Sequence, residues 1–225
     1  MSYLIRFCLL LSLCWGFSSS SPAEVVAKTE KKAPPEVVSD AIKKVLGDTC
    51  HQLVEGDKPL IEFWFCAPVP LKEKPESIEK GLDSLNMASL LGVVRIHKDL
   101  RDYRDDDLSK GVHTIRYGKI PSDGNHLGTS EYPYFAVLIP AADDTEIDGI
   151  KSFKSLTKAS AKNTASEHPV IMSLRPVKKK PSEVPSLAES AAEHKGIVVS
   201  ISGKPAGREE VELVFEVVFE GVGEL

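Results

Sequence analysis

Residues Glu210-Val-Glu-Leu-Val-Phe-Glu-Val-Val-Phe-Glu220 alternate apolar and acidic side chains with a period close to two. Val211, Leu213, Phe215, Val217 and Phe219 fall on one side of an extended chain, and Glu210, Glu212, Glu216 and Glu220 on the other. Successive side chains of a strand point to opposite faces, so the stretch reads as a β-strand with one face buried and one mostly wet.

Shorter runs of the same character precede it at Thr49–Val54, Leu60–Cys66, Gly92–His97, Val112–Tyr117, Tyr134–Ile139, Pro169–Leu174 and Ile197–Ser202. Glu55-Gly-Asp-Lys-Pro59, between the first two, is a hairpin signature. Helical spacing is confined to Val37–Leu46, stopped by Gly47, and to short pieces at Ser155–Ala165 and Leu187–His194. Glu76 to Leu91 tolerates a helix, and Arg175–Pro185 is a charged, Pro-rich surface loop. About eight strands with two or three short helices predict a mainly β protein, an antiparallel β-sandwich of jelly-roll type. A doubly wound α/β sheet would need strong helices between most strands, and these are missing.

The N-terminus speaks to compartment. Arg6 is followed by an apolar run from Phe7 to Phe17 and a Ser-rich stretch ending Ser21-Pro-Ala23. Small residues stand three and one positions before a cut after Ala23, which is the layout of a secretory signal peptide. The run is too short to span a bilayer, and no later run is longer, so no membrane span is expected. Residues 1–23 are read as signal, the polar stretch 24–36 with its two prolines as a flexible lead-in, and 37–225 as one sandwich domain. The expected location is secreted or periplasmic. A formal net charge of −5 with no basic run beyond Lys178-Lys-Lys180 argues against nucleic acid and anionic membranes as partners.

Cys8 and Cys14 leave with the signal, and Leu13 before Cys14 is too large for a lipid-attachment site. Cys50 and Cys66 remain in a compartment that permits disulfides. Symmetric pairing about Lys58 places Leu53 opposite Phe63 and Cys50 opposite Cys66. The two cysteines are then a cross-strand disulfide, or two free thiols if a bulge shifts the register.

Two loops concentrate polar groups. Asp99, Asp102, Asp105, Asp106 and Asp107 offer hard oxygen ligands suited to Ca²⁺, though without the order or internal glycine of an EF-hand loop. Arg101 and Arg104 pair with the same aspartates in the competing reading of a solvated connector. The second loop, Pro121 to Tyr134, carries Asp123, Asn125, His126, Glu131 and Tyr134 into an apolar strand, a setting where binding residues concentrate. His126 with His113 and His168 has no metal-ligand spacing. Trp64 lies opposite in face to Ile61, Phe63 and Phe65; it is either an exposed platform for a sugar or protein contact, or covered by a helix. No nucleophile elbow or phosphate-binding glycine loop occurs.

The segments Lys110–Gly118, Asp123–Phe135 and His168–Pro176 resemble a set of uncharacterised secreted β-rich proteins of planctomycete-type bacteria. That resemblance implies export and β structure, and carries no activity. The group's pattern has an aromatic at His113 and a basic residue at Cys66, so this chain departs from it at both positions. The expected function is an exported non-catalytic binding or interaction module for a glycan, an envelope component or a protein, with no cofactor beyond a Ca²⁺ at the aspartate loop. The alternative is a metal-dependent or carboxylate-based hydrolase using Asp123, His126, Glu131 and His168.

Overall fold

A computed structural model of the chain describes residues 24–101, 107–120, 132–162, 168–189 and 194–220. The protein is mainly β. Along the chain come β1 (Val25–Lys31), α1 (Asp40–Lys43), β2 (Leu46–Glu55), β3 (Lys58–Cys66), β4 (Val69–Leu71) and a 3₁₀ turn at Ile78–Ser84. They are followed by β5 (Leu90–Ile96), the short β6 (Leu100–Arg101) and β7 (Asp107–Leu108), β8 (Gly111–Lys119), β9 (Tyr134–Pro140) and α2 (Phe153–Ala161). Last come β10 (Val170–Pro176), β11 (Ser186–Glu189), β12 (Lys195–Pro205) and β13 (Val211–Glu220).

The Glu210–Glu220 alternation becomes β13, paired antiparallel with β10 on one side and β12 on the other. Leu213, Phe215, Val217 and Phe219 are buried as their period requires. The opposite face is drier than expected: Val214 and Val218 are buried as well, between neighbours on both sides. The glutamates remain at the surface, where Glu212 meets Lys180 and Ser200, and Glu220 meets Lys195.

The strands form one continuous hydrogen-bonded path, β1-β2-β3-β5-β8-β9-β10-β13-β12-β11, with every neighbouring pair antiparallel. The sheet as a whole is nevertheless mixed, which corrects the purely antiparallel expectation. β12 is long, and β11 covers only Lys195 to Val198 of its edge. Its far end, Gly203 to Pro205, is taken by β4, which runs parallel to it with Gly203 beside Val69 and Pro205 beside Leu71.

The sheet curls over one core. Phe65 of β3 and Phe215 of β13, far apart in strand order, meet edge to face at 6.2 Å, and the end strands β1 and β11 come into contact. Right-handed twist accumulated over many strands drives such curling, and each fully buried Phe or Leu contributes about 1.5–3 kcal/mol. On the convex side α2 sets Leu156 against Phe135, Val137 and Ile139. It starts two residues before the expected Ser155 because Ser152 and Ser155 form a reciprocal capping box. The buried Ser160 donates to Leu138 O at 2.6 Å and accepts from Val170 N at 2.9 Å, pinning the helix across β9 and β10.

Two local expectations are overturned. Residues 24–36 are not a flexible lead-in, because Val25–Lys31 pairs along its whole length with β2, from Val25 opposite Glu55 to Lys31 opposite Thr49. Ladder bonds to a ready edge outweigh a polar composition. The expected helix at Leu187–His194 begins instead as strand β11, drawn out by the open edge of β12.

Candidate functional site

The hairpin register decides the fate of the cysteines. Gly56, at φ 60, occupies the first central position of a two-residue turn between Glu55 and Lys58, where a primed turn needs a positive φ. That tight turn, together with a bulge between Leu53 and Val54, leaves the pairing two residues from the symmetric register. Leu53 faces Ile61, Cys50 faces Trp64, and Cys66 faces Leu46. Cys50 and Cys66 are therefore free, buried thiols, and the cross-strand disulfide is corrected. Burial pushes both thiols up to about 12, which leaves almost no thiolate at neutral pH. In native protein at pH 8 neither cysteine is expected to react with a thiol reagent, and both should react after denaturation without reductant. Peptide mapping that finds Cys50 joined to Cys66 would contradict this register.

Ile61, Phe63 and Phe65 face the core, and Trp64 faces the other way as the alternation requires. Its ring is nonetheless fully buried. The chain leaving β1 folds over it, with the indole Nε1 donating to Lys32 O at 2.8 Å, and Val38 and Ile42 join the same apolar cluster. Trp64 is thus a packed side chain, and its reading as an exposed platform is corrected.

Of the polar-loop residues, Asp123, Asn125, His126 and Glu131 lie outside the described residues, as do Asp102 and Asp105. Asp99 accepts from Lys110 N at 2.8 Å, and Asp107 stands 3.7 Å from Arg101 Nε. His168 is exposed just before β10. Among the described residues no three His, Cys, Asp or Glu side chains are grouped to hold an ion. Tyr134 is buried where β9 begins. Burial and a hydrogen bond to Asp83 raise its hydroxyl to about 12. The Lys119 ammonium lies 5.1 Å from the Tyr134 ring and donates to Asp83 Oδ1 at 2.7 Å.

Two charged networks stand out, each built on one buried charged residue within a strand. In β3, Glu62 is fully buried. Its Oε1 accepts from Lys32 Nζ at 2.5 Å and Gln52 Nε2 at 2.9 Å, and its Oε2 lies 2.8 Å from His97 Nε2. Burial alone would raise the carboxyl, but the hydrogen bonds and charges of Lys32 and His97 win and hold it below its ordinary 4.5. The Glu62 hydrogen bond in turn raises Lys32 above 10.5.

A depressed carboxyl stabilises the fold above its unfolded pKa and loses that contribution as pH falls through the folded one. Glu62→Gln should therefore cost stability at pH 7, with the gap to wild type closing below about pH 4.5 as Glu62 protonates. Lys32 contributes below 10.5 and loses its contribution as pH rises through its folded value. Urea midpoints from pH 3 to 11 check both limbs.

In β8, Arg116 is wholly buried and spends its donors within the protein. Nε and Nη2 grip the Asp144 carboxylate at 2.6 and 2.8 Å, and Thr114 Oγ1 adds a bond to Oδ2 at 2.5 Å. Nη2 also donates to Glu146 O at 2.5 Å, and Nη1 donates to Ala88 O and Ile147 O at 3.0 Å each. Ala88 and Ile147 both line a cleft of about 470 Å³.

Its lining includes the turn Asn86 to Ser89, where Ala88 holds a φ of 64 and Met87 is exposed. Ile147, Asp148, Ile150 and Lys151 line it as well, together with Val45, Cys66, Pro68 and Pro70. A positive φ at a non-glycine residue is strained, and it persists because Ala88 N and O are both bonded, to Tyr117 O and to Arg116. The cleft lining is mostly apolar, with Asp148 and Lys151 as its charged residues. Of the lining residues only Cys66 was singled out by the sequence, and for a disulfide. The sequence signal for the two networks was one Glu or Arg within a strand run. Comparison with protein-family models, with curated proteins and with solved structures returned no match.

Proposed function

We propose that this chain is an exported, non-catalytic binding module and that its ligand enters the cleft between the 86–89 turn and the 147–151 segment. The observation that carries the reading is the single buried guanidinium of Arg116, which bonds the backbone carbonyls of two residues lining the cleft, Ala88 and Ile147. A cleft braced in this way loses little entropy when it binds, and preorganisation of that kind is what affinity needs. The charged and nucleophilic groups described above are tied down: Glu62 and Asp144 are saturated with donors, and the thiols of Cys50 and Cys66 stay protonated. With Trp64 buried, a protein or envelope component is favoured over a stacked sugar. The signal-like N-terminus and the resemblance to secreted β-rich proteins support export. In this reading the two ends of the curled sheet serve as the two layers of a sandwich-like body.

Arrays of peptides and of glycans, probed with the full chain and with Met87→Glu, test the proposal. Binding to one class that Met87→Glu abolishes is expected. Turnover of ester, phosphate or glycosidic substrates that is lost on changing His168 would overturn it in favour of a hydrolase. No cofactor is proposed, and after EDTA treatment the melting temperature is expected to stay unchanged on adding Ca²⁺ or Zn²⁺. An ion bound at a hundred times its Kd would add ~2.7 kcal/mol and be plainly visible.

A further inference from the structure

We propose a second site on the outer face of β3 and β5, where Arg95, with His97 beside it, receives a carboxylate of an acidic peptide. Arg95 stands directly across the ladder from Glu62, the position where an ion pair would be expected. Its Nη1 lies 3.7 Å from Glu62 Oε2, an ion pair too long for a hydrogen bond. Glu62 is already occupied by Lys32, Gln52 and His97. Among the described residues the Arg95 guanidinium makes no hydrogen bond, and its side chain is 33% exposed.

The group is also placed. Its central carbon lies 6.0 Å from the ring centroid of Trp64, a buried ring locked by its own hydrogen bond to Lys32 O. An arginine over an aromatic face, with its planar fork unspent, matches a carboxylate through two parallel N–H bonds. A carboxylate sets one negative charge at the fork, which the nearby Glu62 opposes less than the two charges of a phosphate. A uronic sugar would carry that charge too, but its ring finds no exposed aromatic here, since Trp64 is buried. The face also carries Lys28, across from Gln52, to meet a second acidic side chain. This site stands apart from the cleft, because its residues are none of those lining it.

The test is fluorescence polarisation of a labelled glutamate-rich peptide of about ten residues at low ionic strength, where charge contacts are least screened. The chain's own charge of −5 opposes unspecific polyanion binding. Saturable binding is expected, weakened about tenfold by Arg95→Lys, which keeps the charge and loses the fork, and at least as much by Arg95→Ala. Met87→Glu should leave it unchanged, so that failure of the cleft reading and failure of this one are distinguishable. Equal melting temperatures for wild type and Arg95→Lys confirm that the fold is intact. Absence of saturable peptide binding, affinity indifferent to both Arg95 variants, or tighter binding of an oligogalacturonate than of the peptide would overturn the proposal.

Discussion

Arg116→Ala is expected to lower the free energy of unfolding by about 3–5 kcal/mol, read from urea denaturation at pH 7. The size follows from what stays behind. Asp144 is 4% exposed and would keep its charge in a site emptied of its bidentate partner. The carbonyls of Ala88, Glu146 and Ile147 would lose a donor in the same step. An unpaired buried charge costs far more than the intact pair contributes, so a double replacement, Arg116→Met with Asp144→Leu, should recover part of the loss. It should not restore the cleft, because neither methionine nor leucine donates to the carbonyls of Ala88 and Ile147. A single-variant cost below about 1 kcal/mol would mean that Asp144 reaches water and that the pair is a surface one.

Gly92→Ala is expected to prevent cooperative folding or to cost more than about 4 kcal/mol. Gly92 sits at a bulge in β5 where that strand crosses close to β3. A methyl group there would lie 2.2 Å from Trp64 O and 2.8 Å from Phe65 Cα. Both atoms are backbone, so no side-chain rotation relieves the overlap, and the β3–β5 ladder would have to shift. That ladder carries Ile61, Phe63 and Phe65 into the core and sets Glu62 opposite Arg95. A glycine within a strand often marks such a close approach. A cooperative melt of Gly92→Ala within about 1 kcal/mol of wild type would show that the two strands are not held this tightly.

Much of the secondary structure was legible because period-two alternation is a local property. Val112–Tyr117, Tyr134–Ile139 and Ile197–Ser202 all lie inside observed strands. The edges were less legible. β1 and β11 are polar or short and exist because a neighbouring edge offers ladder bonds, which their own residues do not announce. The cysteine pairing failed for a related reason: a two-residue turn at Gly56-Asp57 followed by a bulge at Leu53/Val54, and a longer loop centred on Lys58, are both compatible with the same apolar runs, and they differ by two residues in register.

The site was harder still to read. Polar loops drew attention to Asp123, His126 and the aspartates near 105, whereas the charged groups with the most structured surroundings, Glu62 and Arg116, lie within strands. A charge in such a strand promises a buried partner, but that partner is distant in sequence: Lys32 and His97 for Glu62, Asp144 for Arg116.

By itself, then, the sequence determined a mainly β chain and most of its strand positions, because alternation and turn residues act over a few neighbours. Only the tertiary structure decided the order of strands, the curl that brings Phe65 onto Phe215, the burial of Trp64 and the bracing of the cleft by Arg116. Those depend on which distant edges and charges meet, and a buried charge is stable only where the whole fold brings its partner to it.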